Sequence, residues 1–168
     1  MSSNHAIRVV SVVLKAATTL SGRFAELLGK PFHSDYGLRR LTPTAERVAS
    51  ATVGEIAALG IVRSRAASIV RLAEEVASRT LVLEAGVDPD RAIEQLVALP
   101  GIGPWTAHYI AMRALRWPDA FPREDLVLRK RLGSVTPAQA GVESNAWRPW
   151  RSYATLHLWR GDPIATVR

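Results

Sequence analysis

The sequence contains no cysteine among its 168 residues. This absence excludes disulfides, thiol nucleophiles, cysteine-ligated zinc sites and iron–sulfur clusters, because each of them requires the sulfur atom. Long apolar runs are missing too: the stretch from Ala6 to Leu20 is interrupted by Arg8 and Lys15 and falls short of the roughly 18 residues that a membrane span needs. The sequence therefore predicts a cytoplasmic protein.

Acidic side chains are in the minority, with 15 Asp and Glu against 22 Lys and Arg and a net charge of +7. The imbalance is concentrated in residues 101–168, which hold 10 basic and 5 acidic side chains. A basic surface attracts polyanions, because its cations neutralise phosphates and release their counterions. The charge favours a polyanionic partner, although a solvated basic face would give the same composition.

Helical periodicity runs through most of the chain, and the sequence predicts an all-α fold, a compact array of small helices. Gly29, Gly60 and Gly133 are expected to end helices through positive φ angles. The segment over residues 80–87 is the one candidate for extended structure. Helices are predicted over residues 16–28, 44–50, 53–58, 63–78, 89–98, 104–116, 125–132, 137–145 and 149–160.

The most informative stretch is Leu-Pro-Gly-Ile-Gly-Pro-Trp-Thr-Ala over residues 99–107, which separates two predicted helices. Gly101 and Gly103 allow a tight turn and a close approach from outside, and Ile102 is expected to point inward. The free N–H groups that open the following helix suit a phosphate. A simple turn between packed helices is the alternative interpretation.

Residues 99–107 resemble the helix-hairpin-helix signature of DNA glycosylases. The segments over residues 120–126 and 147–159 resemble the 3-methyladenine DNA glycosylase II family in particular, and the likeness extends from Ala16 to Trp159. It implies one helix-hairpin-helix glycosylase domain over residues 1–168 that acts in base excision repair on alkylated purines. The implied partner is double-stranded DNA that contains alkylated bases, and no cofactor is required.

Asp125 has two compatible interpretations. Its position before Leu126 predicts a helix N-cap, in which the carboxylate accepts backbone N–H bonds. The resemblance makes it the catalytic residue, because a fixed carboxylate stabilises the oxocarbenium character that develops at C1′ when a base leaves deoxyribose. Glu124 is the nearest rival, and the resemblance places it beside the catalyst.

Five of the eleven aromatic residues are tryptophan. Trp105, Tyr109 and Met112 share one helical face, which is usually a core stripe. The resemblance implies instead that Trp105, Tyr109 and Trp159 line the base pocket, whereas Trp147 and Trp150 pack. Related enzymes that also cut the DNA strand carry a lysine at the place of Trp105, so the resemblance implies a monofunctional glycosylase.

The remaining site residues are implied by the same resemblance. DNA contacts are expected from Gly101, Ile102, Gly103, Thr106 and Arg129, although charge runs such as residues 129–131 are often only solvated. A sodium or potassium ion is expected on the backbone carbonyls of Val97, Leu99 and Ile102. His108 and His157 lack metal-ligand spacing and are assigned to structure.

The chain departs from the family before Ala16. The family usually carries a further domain, a first helix and a paired-glutamine segment there, and residues 1–15 match none of them. Base flipping costs a few kcal/mol of unstacking, and a wedge side chain from that region is one source of the energy that offsets this cost. The chain is therefore expected to lack that domain and helix. Two alternatives stay open: a catalytically weak DNA-binding remnant, and an interaction module with a basic tail.

Overall fold

Helices supply the regular structure of the chain, which confirms the predicted all-α class. The computed structural model describes residues 17–161, and the β-type pairing in this range is a single isolated bridge between Pro31 and Arg40. The described residues contain no helix that is both long and apolar enough to cross a membrane. Residues 1–16, including the predicted first-helix start at Ala16, and residues 162–168 lie outside this range.

The chain divides into two compact units, residues 1–80 and 81–168, and the single domain predicted over residues 1–168 stays a prediction. The helices of the first unit meet in one apolar cluster that includes Ile56 and Ala66, both fully buried. These helices are α1 over residues 17–28, α2 (Ala45–Ala49), α3 (Val53–Ala57) and α4 (Arg63–Ala77).

The second unit carries the hairpin motif and all five tryptophans. Its core contains fully buried alanines and leucines, among them Ala107, Ala111 and Leu128. The segment over residues 80–87 bends without forming a strand. The helices are α5 (Pro89–Val97), α6 (Pro104–Arg113), α7 (Leu126–Arg131), α8 (Pro137–Glu143), a 3₁₀ turn (Ser144–Trp147) and α9 (Arg151–Arg160).

Helix ends depart from the sequence predictions where the backbone turns early. Helix α6 stops at Arg113 rather than residue 116: Ala114 is its C-cap, and Arg116 has a left-handed φ of 56° that excludes it from the helix. Gly60 and Gly133 have the expected positive φ angles of 97° and 88°. Gly29 follows the last residue of α1 as expected, but the positive φ expected of it is wrong: its φ is not positive, and a Cβ there would collide with the carbonyl oxygens of Ala25 and Leu41.

A buried ion-pair network joins the loop after α6 to the start of α9. The carboxylate of Asp119, 5% exposed, accepts two bonds of 2.7 Å from the guanidinium of Arg151 and one of 2.8 Å from Arg148. Ser152 adds hydrogen bonds from its hydroxyl to the carbonyls of Trp117 and Ala120. These bonds anchor the loop that leads to Asp125.

We expect Asp119→Asn to destabilise the second unit by about 3–5 kcal/mol, because it leaves the buried Arg151 charge without its partner. Urea unfolding followed by tryptophan fluorescence measures this change, since all five tryptophans lie in residues 81–168. Arg148→Gln is the matched control: its side chain is 55% exposed, so its loss should cost at most about 1 kcal/mol. Equal effects of both substitutions would contradict this account.

Candidate active site

The hairpin between α5 and α6 uses its two glycines differently. Gly101 has a φ of 82°, a left-handed conformation that favours glycine, and the amide of Ile102 closes the turn on the carbonyl of Leu99 at 3.1 Å. Ile102 is 6% exposed and points inward as expected. Gly103 has an ordinary φ of −89°, and a Cβ there would meet nothing within 4 Å. Its missing side chain therefore leaves space on the outside of the protein.

Asp125 caps α7, and its side chain also receives bonds from two other helices. The Oδ1 atom accepts the backbone N–H of Leu128 at 2.9 Å, as the N-cap interpretation predicted. The indole Nε1–H of Trp159, from α9, donates to the same oxygen at 3.2 Å. The indole Nε1–H of Trp105, from α6, donates to Oδ2 at 2.7 Å. Donors from α6, α7 and α9 thus converge on one carboxylate.

The aromatic rings form a wall beside this carboxylate. Trp105 and Tyr109 are stacked with their centroids 5.5 Å apart and an interplanar angle of 5°. Tyr109 and Trp159 are 6.0 Å apart at 47°. Trp105 and Tyr109 remain 39% and 38% exposed, whereas Met112 is buried. The core interpretation of the helical stripe therefore holds for Met112, and the two rings stay accessible.

Trp147 and Trp150 differ in their environments. Trp147 is partly buried and packs edge-on against Phe121 with centroids 6.0 Å apart, in keeping with the predicted packing role. The same expectation is wrong for Trp150, which is 58% exposed and lies against the surface residue Tyr153. Trp150 is therefore a surface tryptophan, in contrast to Trp105 and Trp159, whose indole N–H groups donate to Asp125.

The other predicted site residues lie around the hairpin and α7. Thr106 is partly buried in the first turn of α6, and the Nε–H of Arg129 donates to the carbonyl of Val135 at 2.8 Å. The Nε–H of Arg129 is therefore occupied in holding the segment that leads into α8. Glu124, the rival of Asp125, pairs through Oε1 with Arg123 at 3.1 Å. Val97 is exposed and Leu99 is partly buried at the hairpin.

Two features of this site could not be predicted from the sequence: the indole hydrogen bonds to Asp125 and the Asp119 network behind its loop. Asp125 is 20 residues from Trp105 and 34 from Trp159, and no local pattern links residues so far apart. The cluster of arginines in Trp-Arg-Pro-Trp-Arg, residues 147–151, was the one available signal for a buried acidic partner.

His108 lies on α6 between Trp105 and Tyr109 in sequence, and its Nδ1 atom is buried without a hydrogen-bond partner among the described residues. Burial lowers the pKa of His108 from its ordinary 6.5, and the negative charge of Glu124 opposes that effect. The described residues contain no group of three His, Cys, Asp or Glu side chains that could hold a metal ion. A neutral imidazole in a structural role fits both observations.

The lowered pKa of His108 predicts a pH dependence of stability. Below pH 6.5 the unfolded chain takes up a proton on His108 before the folded chain does, so the free energy of unfolding falls as the pH drops towards the folded-state pKa. We expect His108→Asn to reduce this slope in urea unfolding between about pH 7.5 and pH 5. An unaltered slope in His108→Asn would contradict the prediction.

Comparisons with known proteins find relatives in sequence and in fold. The chain is 47% identical over 160 residues to the probable bifunctional transcriptional activator/DNA repair enzyme AlkA of Mycobacterium tuberculosis, covering 92% of this chain and 32% of that protein. It is 36% identical over 152 residues to DNA-3-methyladenine glycosylase 2 of Escherichia coli, covering 90% and 53%. The chain thus spans between a third and about half of the length of these curated relatives.

A solved structure, the 3-methyladenine DNA glycosylase of Archaeoglobus fulgidus, superposes with a TM-score of 0.72 at 22% identity. The match covers 91% of this chain and 54% of that one, which shows the shared fold. No protein-family model matches the chain. The sequence relatives and the shared fold agree: the chain belongs to the 3-methyladenine DNA glycosylase II family of helix-hairpin-helix proteins.

Proposed function

We propose that this chain hydrolyses the N-glycosidic bond of alkylated purines, of the 3-methyladenine type, in double-stranded DNA, as a step of base excision repair. The observation that carries the proposal is the carboxylate of Asp125, held by two indole N–H groups beside an accessible aromatic wall. The names of the sequence relatives, a DNA repair enzyme and a DNA-3-methyladenine glycosylase, support the same activity.

The aromatic wall suits the charge of the substrate. Alkylation at N3 or N7 makes a purine cationic, and the faces of Trp105, Tyr109 and Trp159 attract cations through their ring quadrupoles. Trp105 and Tyr109 are both more than a third exposed, so a flipped base can reach them. The wall therefore favours a charged base over a neutral one of similar shape.

Asp125 acts on the sugar. When the bond between C1′ and the base nitrogen breaks, its electron pair neutralises the alkylated base and leaves positive charge on the sugar. The carboxylate of Asp125 stabilises that charge, and a water oxygen then bonds to C1′ and releases its proton. The products are the free base and an abasic site. Water is the nucleophile and the base leaves in its neutral form, so the reaction requires no cofactor.

The proposed enzyme stops at the abasic site. A strand-cutting lyase needs an amine that forms a Schiff base with the sugar. Trp105 stands where such related enzymes carry their lysine, and its indole N–H is bonded to Asp125. We infer a monofunctional glycosylase, whose product strand stays intact until base or a separate lyase is added.

The hairpin is the proposed contact with the DNA backbone. Gly101, Gly103 and Thr106 lie at or before the first turn of α6, where backbone N–H groups without intrahelical partners suit a phosphate. Ile102 is buried, so its contribution comes from its backbone. Arg129 has guanidinium nitrogens beyond the Nε that bonds Val135. These groups would hold the strand near Asp125.

A monovalent cation fits the same turn. Among the described residues, the carbonyl of Leu99 accepts one N–H bond, from Ile102, and those of Val97 and Ile102 accept no backbone bond. Neutral carbonyl oxygens suit sodium or potassium, and each has two lone pairs. A bound ion would add positive charge to a turn that faces phosphate, while the catalytic chemistry stays with Asp125.

The two hairpin glycines give a direct test of DNA binding. We expect Gly103→Ala to fold normally, because its φ is ordinary and its Cβ meets open space, yet to weaken DNA binding roughly tenfold by displacing a phosphate contact. Gly101→Ala should cost about 1–2 kcal/mol of stability, since its φ is left-handed. Fluorescence anisotropy with labelled duplex DNA measures binding, and Gly54→Ala, in α3, is the control.

Unchanged binding in Gly103→Ala, with Gly54→Ala as reference, would show that DNA does not approach this turn.

Asp125→Asn tests catalysis. Asparagine also caps helices well, so the fold should persist, whereas the loss of the negative charge should slow release of 3-methyladenine by roughly 10²–10³-fold. Release is measured from methylated DNA by chromatography, with Glu124→Gln as the control that should stay near the unmodified rate. DNA binding without release by the unmodified chain would favour a DNA-binding remnant, and neither binding nor release would favour an interaction module.

A further inference from the structure

We propose that Trp105 and Trp159 are positioning residues, whose indole N–H groups hold the carboxylate of Asp125 in its working orientation. This inference rests on the proposed function and assigns the two tryptophans a role beyond that of pocket wall. It starts from the two bonds, 2.7 Å to Oδ2 from Trp105 and 3.2 Å to Oδ1 from Trp159. Each carboxylate oxygen is thus held by an indole from a different helix.

Counting lone pairs shows how completely the carboxylate is held. An ionised carboxylate offers about four acceptor positions, two on each oxygen. Oδ1 uses its two on the backbone N–H of Leu128 and the indole of Trp159. Oδ2 uses one on Trp105. One position on Oδ2 is left for water or the sugar, and turning the carboxylate about its Cβ–Cγ bond would break the bonds already made.

The donors are themselves oriented by the aromatic stack. Tyr109 lies parallel to Trp105, at an interplanar angle of 5°, and its other neighbour is Trp159 at 47°. Trp159 also packs against two apolar clusters of the second unit. The apolar core therefore orients the indole of Trp159, and the stacked ring of Tyr109 orients the indole of Trp105. The carboxylate position is determined by ring packing as much as by the helix cap.

The same hydrogen bonds restrict how the aromatic wall can contact a base. An indole has a single N–H donor, and in both Trp105 and Trp159 that donor is directed at Asp125. Neither tryptophan can hydrogen-bond to a purine without releasing the carboxylate. Both therefore offer a base their ring faces alone, and a base that displaced either ring would disturb the catalytic group. The two indole hydrogen bonds to Asp125 therefore couple recognition of the base to the position of the catalytic carboxylate.

The hydrogen bonds from the indole N–H groups to Asp125 can be observed without any enzymatic assay. We expect the indole ¹H–¹⁵N resonances of Trp105 and Trp159 to move in Asp125→Ser, which keeps an N-cap hydroxyl but is too short to reach both indoles. The resonance of Trp150, which lies against Tyr153 on the surface, should stay in place. Glu124→Gln is the control substitution. Unmoved resonances of Trp105 and Trp159 in Asp125→Ser would overturn the proposal.

The functional role is tested by removing the donor while keeping the ring. Replacement of Trp105 or Trp159 by benzothienylalanine exchanges the N–H for sulfur and preserves the ring face. We expect kcat for release of 3-methyladenine to fall roughly tenfold or more, with KM nearly unchanged, because a hydrogen bond to a charged group is lost. The same replacement at Trp150 should have no effect.

The outcomes separate this inference from the proposed function. A rise in KM with unchanged kcat would assign the indoles to base binding alone and overturn the positioning role. If the unmodified chain releases no base, the proposed function fails, and the resonance experiment still decides whether the indoles hold Asp125. Moved resonances together with a lower kcat would support both.

Discussion

The second unit is organised around one carboxylate that three helices share. Asp125 begins α7 by accepting an N–H of its own first turn, and it also accepts the indole N–H groups of α6 and α9. A helix cap is a local interaction, common in any helical protein. The two indole bonds turn that local cap into a tertiary contact, because they can form only when α6, α7 and α9 are correctly packed. The candidate site therefore forms only when the helices of the second unit have packed together.

A second carboxylate supports the loop that carries the first. Asp119 lies six residues before Asp125 and is buried. Its carboxylate is held by Arg151, the first residue of α9, and by Arg148, just before that helix. The loop is thus tied to α9 at its beginning and to α6, α7 and α9 at its end. The charge of the donors separates the two roles, since Asp119 accepts from cationic guanidinium groups, whereas Asp125 accepts from the uncharged N–H groups of Leu128, Trp105 and Trp159. Asp119 thus ties the loop to α9, whereas Asp125 retains one acceptor position on Oδ2 for the chemistry proposed above.

The unusual aromatic composition has a physical explanation in this arrangement. Tryptophan combines the widest ring face with one N–H donor, and Trp105 and Trp159 use both features at the same time. Tyr109 completes the stack between them. A phenylalanine would keep a face but lose the bond to Asp125, and a lysine in place of Trp105 would bring an amine for strand cleavage. The proposed monofunctional chemistry follows from the same side chain that orients the carboxylate.

Much of this protein could be predicted from its sequence, because the signals were local. Helical periodicity gave the all-α class, Gly101 marked the hairpin, and Asp125 was recognised as a cap and, through family resemblance, as the catalytic candidate. Local signals failed where a neighbour distant in sequence decided the outcome. Gly29 is needed for close packing rather than a positive φ, and Trp150 lies on the surface although Trp147, three residues earlier, is packed. The hydrogen bonds from Trp105 and Trp159 to Asp125 were decided by the tertiary structure alone, since a hydrogen bond between residues 20 or 34 positions apart depends on how helices cross and leaves no periodic trace in the chain.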